Sequence, residues 1–185
     1  MDRLLSRLRE KHRRYHTASH VAWVLRHIEE LAQHESIAHF DEIVAAAFYH
    51  DAVYEPAYPA NERASARLAR RDLTALGWPQ QRVERVATMI EATEHASDPD
   101  VSGDAAILLD ADLAVLAGEP GAYSTYLAAV RGEFRHVDDD EWRVGRAQVL
   151  RSFLDRPHIF ATTYGRAVWE QHARRNLTAE LATLS

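Results

Sequence analysis

Three short stretches of the sequence combine imidazole and carboxylate groups in a way that suits metal chemistry. In Tyr15-His16-Thr17-Ala18-Ser19-His20 two imidazoles stand four residues apart, and they share a face if one helix covers both. In His50-Asp51 an imidazole and a carboxylate are adjacent near the end of the most apolar helical stretch. In Leu108-Leu109-Asp110-Ala111-Asp112-Leu113 two carboxylates interrupt an apolar helical run. Burying such charge is costly unless it is paired or bound to a cation. Imidazole and carboxylate donors without thiolate suit Mn, Fe, Ni, Co or Zn, with Mg an option at a second position, and they leave coordination positions for water. One or two such ions would lower the pKa of bound water and make a nucleophile near neutral pH. Taken singly, each stretch has a plainer reading: a hydrogen-bonded core His20, a chance pair at His50-Asp51, and a solvent-facing pair at Asp110 and Asp112.

Groups so far apart in sequence need a scaffold to bring them together, and the scaffold reads as helical. Seven glycines and six prolines in 185 residues fall below the roughly 12% of average usage, which disfavours turn-rich β architectures. Ser19 can cap a helix whose apolar positions Val21, Val24, Leu25, Ile28 and Leu31 recur at three and four residues. A helix from Asp41 to near Val53 is apolar on most sides, as a central element should be. Further helices are predicted from Asn61-Glu62 through Leu76, stopped by Gly77 and Pro79, and from Gln80 to Thr93. Asp98-Pro99-Asp100 and Ser102-Gly103 read as a loop, followed by helices over Ala105–Leu116, Gly121–Arg135, Asp139–Leu154 and about Tyr164–Leu181. Ala105 to Leu109 is the run where a strand competes best. The expectation is one all-α domain over residues 1–185, a compact bundle of about seven to nine helices.

Composition removes several function classes. The net charge of −6 argues against an extended nucleic-acid partner. Cys 0 excludes disulfides, thiol nucleophiles and cysteine-ligated clusters. Hydrophobic residues at 46% and charged residues at 27% fit an ordinary globular chain. No apolar run approaches the roughly 18 residues of a membrane span, and Met1-Asp2-Arg3-Leu4 opens no apolar signal stretch, so a soluble, cytoplasmic protein without a membrane partner is expected. The aromatic tail residues Trp142, Phe153, Phe160, Tyr164 and Trp169 read as core, which leaves a monomer or a homodimer open.

The ordered set His20, His50, Asp51, Asp112 resembles the HD superfamily of metal-dependent phosphohydrolases, whose pattern is a His, an adjacent His-Asp and a later Asp on helices. The stretches Arg14-Tyr15-His16-Thr17, Phe48 to Tyr54, Asn61-Glu62 and Leu109 to Leu113 look closest to a group of small bacterial predicted HD phosphohydrolases. This resemblance runs along most of the chain and implies an HD-type bundle, with the helices after about 119 packed on the metal-binding core. Tyr15 to His20 is also similar to the Tyr-His-Asn-x-x-His stretch of the class I cyclic-nucleotide phosphodiesterases. Carried across, His20 becomes a metal ligand and His16 the proton donor to the leaving oxygen. The family's Ala-Asp-Leu matches Ala111-Asp112-Leu113 and favours Asp112 over Asp110 as the last ligand. The chain departs from that family at Thr17, where the family has Asn, and at Tyr54, where it has His, which leaves the cyclic-nucleotide substrate and the second metal position open.

The resemblance implies hydrolysis of a phosphoester, on a nucleotide or another small phosphorylated molecule, by a metal-activated water. On this reading His20, His50, Asp51 and Asp112 are the metal ligands, Asp51 bridges if there are two ions, and His16, Asp51, Glu55 and His95 form the catalytic set. Arg14, Tyr15, Asn61 and Glu62 are candidates for substrate binding, although Asn61 and Glu62 also suit the cap of the next helix. Lys11, Arg13 and Arg14 have the plain reading of a solvated basic face. Two alternatives are a diiron HD-type oxygenase, which uses more His and Asp ligands, and a degenerate HD module that binds a ligand without catalysis.

Overall fold

The computed structural model describes residues 2–56, 58–94 and 101–184. Among them are nine α-helices and no strand: α1 (Asp2–Arg7), α2 (Ala18–Leu31), α3 (Phe40–Tyr49), α4 (Asn61–Ala75), α5 (Gln80–Glu91), α6 (Asp104–Leu113), α7 (Pro120–Glu133), α8 (Asp139–Leu154) and α9 (Glu170–Thr183). A 3₁₀ segment (Ala114–Ala117) extends α6, and a π-helical turn (Gly165–Trp169) leads into α9. No helix of the described residues is long and apolar enough to cross a membrane.

The apolar run expected to be ambiguous is the middle of the bundle. In α6, residues Ala106 through Ala111 are all buried, so the helix is covered on every side. It packs against α2, α3 and α5, and α3 packs in turn against α2, α4 and α5. The stripe Val21, Val24, Ile28, Leu31 faces this core from α2, and Ile43, Ala46 and Ala47 face it from α3 with no exposed surface. Burying each of these aliphatic side chains stabilises the fold by about 1.5–3 kcal/mol for the larger ones. α4 and α5 form a hairpin closed at Gly77, whose φ of 80° is the left-handed value that glycine adopts without strain. The Trp78 N–H reaches back to the Leu73 carbonyl at 3.0 Å and closes the helix end. The C-terminal helices join through the 3₁₀ segment, against which both α7 and α9 pack, and α8 packs on α9.

Several predicted boundaries shift. Ser19 is not the cap of α2: Thr17 holds that position, without a side-chain cap bond, and Ser19 lies inside the first turn. α2 therefore covers His20 but not His16. α3 ends at Tyr49, so His50 and Asp51 stand at its end and not within it, and α1 is an element the sequence pattern did not announce. Of the predicted loop around Asp98-Pro99-Asp100, residues 98–100 lie outside the described residues.

Candidate metal centre and the cavity beside it

The start of α2, the end of α3 and the last turn of α6 meet at one point, and each delivers a donor there. His20 comes from α2, His50 and Asp51 from the end of α3, and Asp112 from α6. The Nε2 atoms of His20 and His50 lie 3.1 Å apart. Asp112 Oδ1 is 3.1 Å from the first and 3.6 Å from the second, and Asp51 Oδ2 is 3.2 Å and 3.0 Å from them. Ligand atoms of His20, His50 and Asp112 all lie within 4.8 Å of one another, a grouping that could hold a metal ion.

The local chemistry fits a cation at this point. His50 Nδ1 donates to the Ala47 carbonyl at 2.8 Å, so in the neutral ring the Nε2 lone pair faces the cluster. Asp51 Oδ2 is sealed from solvent and lacks a hydrogen bond of good geometry in spite of its two imidazole neighbours, as expected of an oxygen aimed at a shared centre. Burial works against charge on all four groups, yet their mutual attraction wins. Both imidazoles are raised above the ordinary histidine value, His50 strongly, by Asp51 and Asp112. Both carboxyls are held below the ordinary range, Asp51 mainly by the charges of His50 and His16 and Asp112 by its bonds to His20 and His50. Two carboxylates with two neutral imidazoles leave a charge of −2, which two protons or one divalent cation can balance.

A cavity of about 260 Å³ opens on this cluster and is lined by His50, Asp51 and Asp112 together with Tyr15, His16, Tyr54, Asn61 and Glu62. His16 lies in the turn before α2, with its Nδ1 donating to Glu133 Oε2 at 2.7 Å and its ring stacked on Tyr54 at 4.1 Å. Glu133, at the end of α7, collects five donors. Its Oε1 accepts the backbone N–H groups of Arg14, Tyr15 and His16 at 2.7, 2.8 and 3.0 Å, and its Oε2 accepts His16 and the Tyr54 hydroxyl at 2.9 Å. Burial pushes this carboxyl up, but the His16 bond and charge and the backbone donors outweigh it and bring it down to about 2. Arg13 braces the same corner. It is 3% exposed, and it donates to the His16 carbonyl at 3.0 Å and to the Asp51 carbonyl at 2.7 Å.

The predicted site residues thus separate into groups. His16, His20, His50, Asp51 and Asp112 come together, and Tyr15, Asn61 and Glu62 line the cavity beside them. Asn61 does not cap α4, where Ala60 holds the position. Its side chain accepts the Glu55 N–H at 3.0 Å and donates to the Glu55 carbonyl at 2.9 Å, pinning the loop. Glu55 itself is exposed and does not line the cavity. The Arg14 guanidinium also stays outside, bonded to the Lys11 and Arg13 carbonyls, because it is the backbone of Arg14 that turns inward to Glu133. His95 lies outside the described residues. Asp110 and Asp112 are not a surface pair: Asp110 is fully buried and points away to the loop before α9.

Arg13, read as part of a solvated basic face, is instead buried, because its guanidinium turns in to the carbonyls of this corner. Glu133 and Arg146 escaped the sequence reading, although both carry a visible signal. Glu133 falls on the apolar stripe Tyr123, Tyr126, Val130, and Arg146 on the stripe Trp142, Leu150, Phe153. A charge at a stripe position has to be buried with partners or at a site. No family model, curated protein or solved structure matches this chain.

Proposed function

We propose that the protein is a metal-dependent phosphohydrolase of the HD type that acts on a small phosphorylated molecule. The observation that carries this reading is the convergence of His20, His50 and Asp112, with Asp51 beside them, at a cavity that His50, Asp51, Asp112 and His16 line, with Glu133 bonded behind His16. His20, His50, Asp51 and Asp112 would hold the ion. A divalent ion supplies Lewis acidity toward a phosphoryl oxygen and makes water acidic enough to attack near neutral pH.

The remaining work falls to the chain itself. With the Nδ1 proton of His16 committed to Glu133, the proton that can move is the one on Nε2, and a leaving alkoxide oxygen takes it from there. Glu133 fixes the ring tautomer and stabilises the imidazolium, while Tyr54 sets the ring plane by stacking. Arg13, by holding the His16 and Asp51 carbonyls, keeps the proton donor and a carboxylate of the cluster in register. Leu113, Val115, Val130 and Phe134 line the cavity with apolar surface, which strengthens these interactions by limiting water.

The test is elemental analysis with a phosphate-release screen over small monophosphates and nucleotides in the presence of Mn, Co, Ni, Zn and Mg. Wild type is expected to carry about one or two ions and to release phosphate only when metallated, and His16→Asn to keep its metal while losing about 10²–10⁴-fold in kcat. A metal-free protein whose stability is indifferent to added metal would overturn the reading. Metal-dependent consumption of dioxygen without phosphate release would replace it by an oxygenase.

A further inference from the structure

The far wall of the cavity is built from α7 and α8, and one positive charge stands in it. Arg146 is 8% exposed and lines the cavity. Its Nε–H donates to Glu180 Oε1 at 2.7 Å, and its Nη2 donates to Glu180 Oε2 at 3.0 Å and to the Tyr126 hydroxyl at 3.3 Å. Glu180 is held in turn by the Tyr123 hydroxyl, so the fork between Arg146 and Glu180 has a fixed plane. That fork occupies one edge of the guanidinium only. Nη1 makes no hydrogen bond among the described residues, and it is not one of the unpartnered atoms sealed from open space, which are Tyr15 Oη, His20 Nδ1, Trp23 Nε1 and Asp51 Oδ2. A nearly buried guanidinium with one edge open to the cavity offers a donor to an acceptor that enters there.

Aromatic surface connects this edge to the metal centre. The Arg146 guanidinium carbon lies 5.5 Å from the centre of the Tyr126 ring, Tyr126 lies 4.9 Å from Tyr15, and Tyr15 lies 4.7 Å from His20. A ligand with its phosphoryl group at the imidazole–carboxylate cluster would lay its middle over two phenol rings and bring its other end to Arg146. We propose that Arg146 is a specificity determinant for small phosphoesters that are apolar in the middle and end in a carboxylate or carbonyl oxygen, which accepts from Nη1. The placement of the phosphoryl group rests on the phosphohydrolase reading. The acceptor end rests on Arg146 alone. A cavity of about 260 Å³ suits a small ligand. Because Glu180 neutralises the guanidinium, a carbonyl is acceptable there, and a carboxylate binds more tightly through the charge-assisted bond.

The test uses three ligands that cannot be hydrolysed at phosphorus: phenylphosphonate, 4-carbamoylphenylphosphonate and 4-carboxyphenylphosphonate. Their binding to the Mn-loaded wild type and to Arg146→Lys is measured by calorimetry. Lysine keeps the charge facing Glu180 and loses the second planar edge. For wild type the carboxylate is expected to tighten binding about tenfold over phenylphosphonate, and the amide by less. In Arg146→Lys both gains should fall below about twofold, with phenylphosphonate itself unchanged, an outcome that a purely structural ion pair would not produce. Equal affinities across the wild-type series, or a gain that survives the substitution, would overturn the assignment, and the wild-type series decides alone if the variant does not fold. Phosphate release from phenyl phosphate is followed separately. Release without an acceptor preference overturns the role of Arg146 and spares the hydrolase, whereas a preference without release does the reverse.

Discussion

Asp110 and Asp112 sit two residues apart on the same helix, both turned into the protein, and they meet burial in opposite ways. Asp110 accepts the Ala161 N–H on Oδ1 at 2.8 Å, and on Oδ2 it accepts the Thr162 N–H at 2.8 Å and the Thr162 hydroxyl at 2.6 Å. Burial nevertheless dominates and pushes its pKa up. Asp112 faces two imidazoles, which overcome burial and hold it well below the ordinary carboxylate range. The dipoles around Asp110 lower its pKa by less than burial raises it, whereas the two imidazoles that can carry positive charge beside Asp112 more than offset its burial. A carboxylate of the first kind stitches a loop in place, and one of the second kind marks a place for a cation.

The largest expected effect separates the two. Asp112→Asn keeps the shape of the side chain and removes its charge, so metal content should fall to background and kcat/KM by about 10³-fold or more, with a cooperative melt retained. Asp110→Asn should keep its metal. Equal metal loss in the two variants, read by elemental analysis, would erase the distinction.

Glu133 tests an intermediate case, since it takes three backbone donors and a histidine together. Its pKa is lowered from 4.5 to about 2, so its ionised form stabilises the fold by about 3 kcal/mol at neutral pH. The native state binds fewer protons than the unfolded chain between these values. The stabilisation is therefore complete above about pH 4.5 and fades as pH falls toward about 2. Glu133→Gln should be less stable than wild type by that amount at pH 7, and the gap in denaturant midpoints should close across this acid window. A gap independent of pH would mean that shape, and not charge, holds this corner.

Asp110→Asn should cost about 2 kcal/mol, because one acceptor oxygen becomes a donor facing donors. Gly165→Ala should cost a similar about 1–3 kcal/mol through the same contact. A methyl group there would stand 2.6 Å from Asp110 Oδ2 and 2.8 Å from Phe160 Cβ. Because both changes disturb the bond between Asp110 and the 161–165 loop, their double variant should be less than additive.

How much of this was visible in the sequence depends on whether a residue acts through its side chain at a patterned position. Apart from α1, the helices followed from apolar spacing, and α8 begins and ends where the pattern placed it. The cluster of His20, His50, Asp51 and Asp112 came from residue types in order together with a family resemblance. The choice between Asp110 and Asp112 had no answer in helical spacing, since two residues along a buried helix point to different neighbours and the neighbour of Asp110 lies some fifty residues on. Glu133 and Arg146 were legible only as charges on apolar stripes. Arg13 was read only as part of a solvated basic face: its pair with Glu10 fits that reading, and its partners across the fold are the Asp51 and Ala52 carbonyls, groups that every residue has.

Arg14 gives the smallest effect and for that reason a sharp one. Its N–H is one of the shortest bonds to Glu133 at 2.7 Å, but among the described residues its guanidinium donates to the Lys11 and Arg13 carbonyls and not to the cavity. If backbone dipoles hold Glu133, Arg14→Ala should leave the acid-window behaviour of stability intact, change the folding free energy by less than about 0.5 kcal/mol and leave kcat/KM within about twofold. A larger loss on phosphorylated substrates would place the guanidinium at the substrate and move the anion-binding side of the cavity to this corner. A loss of stability without a change in activity would show instead that the surface bonds to Lys11 and Arg13 hold the turn, and that the backbone donors to Glu133 are a consequence of the turn and not its cause.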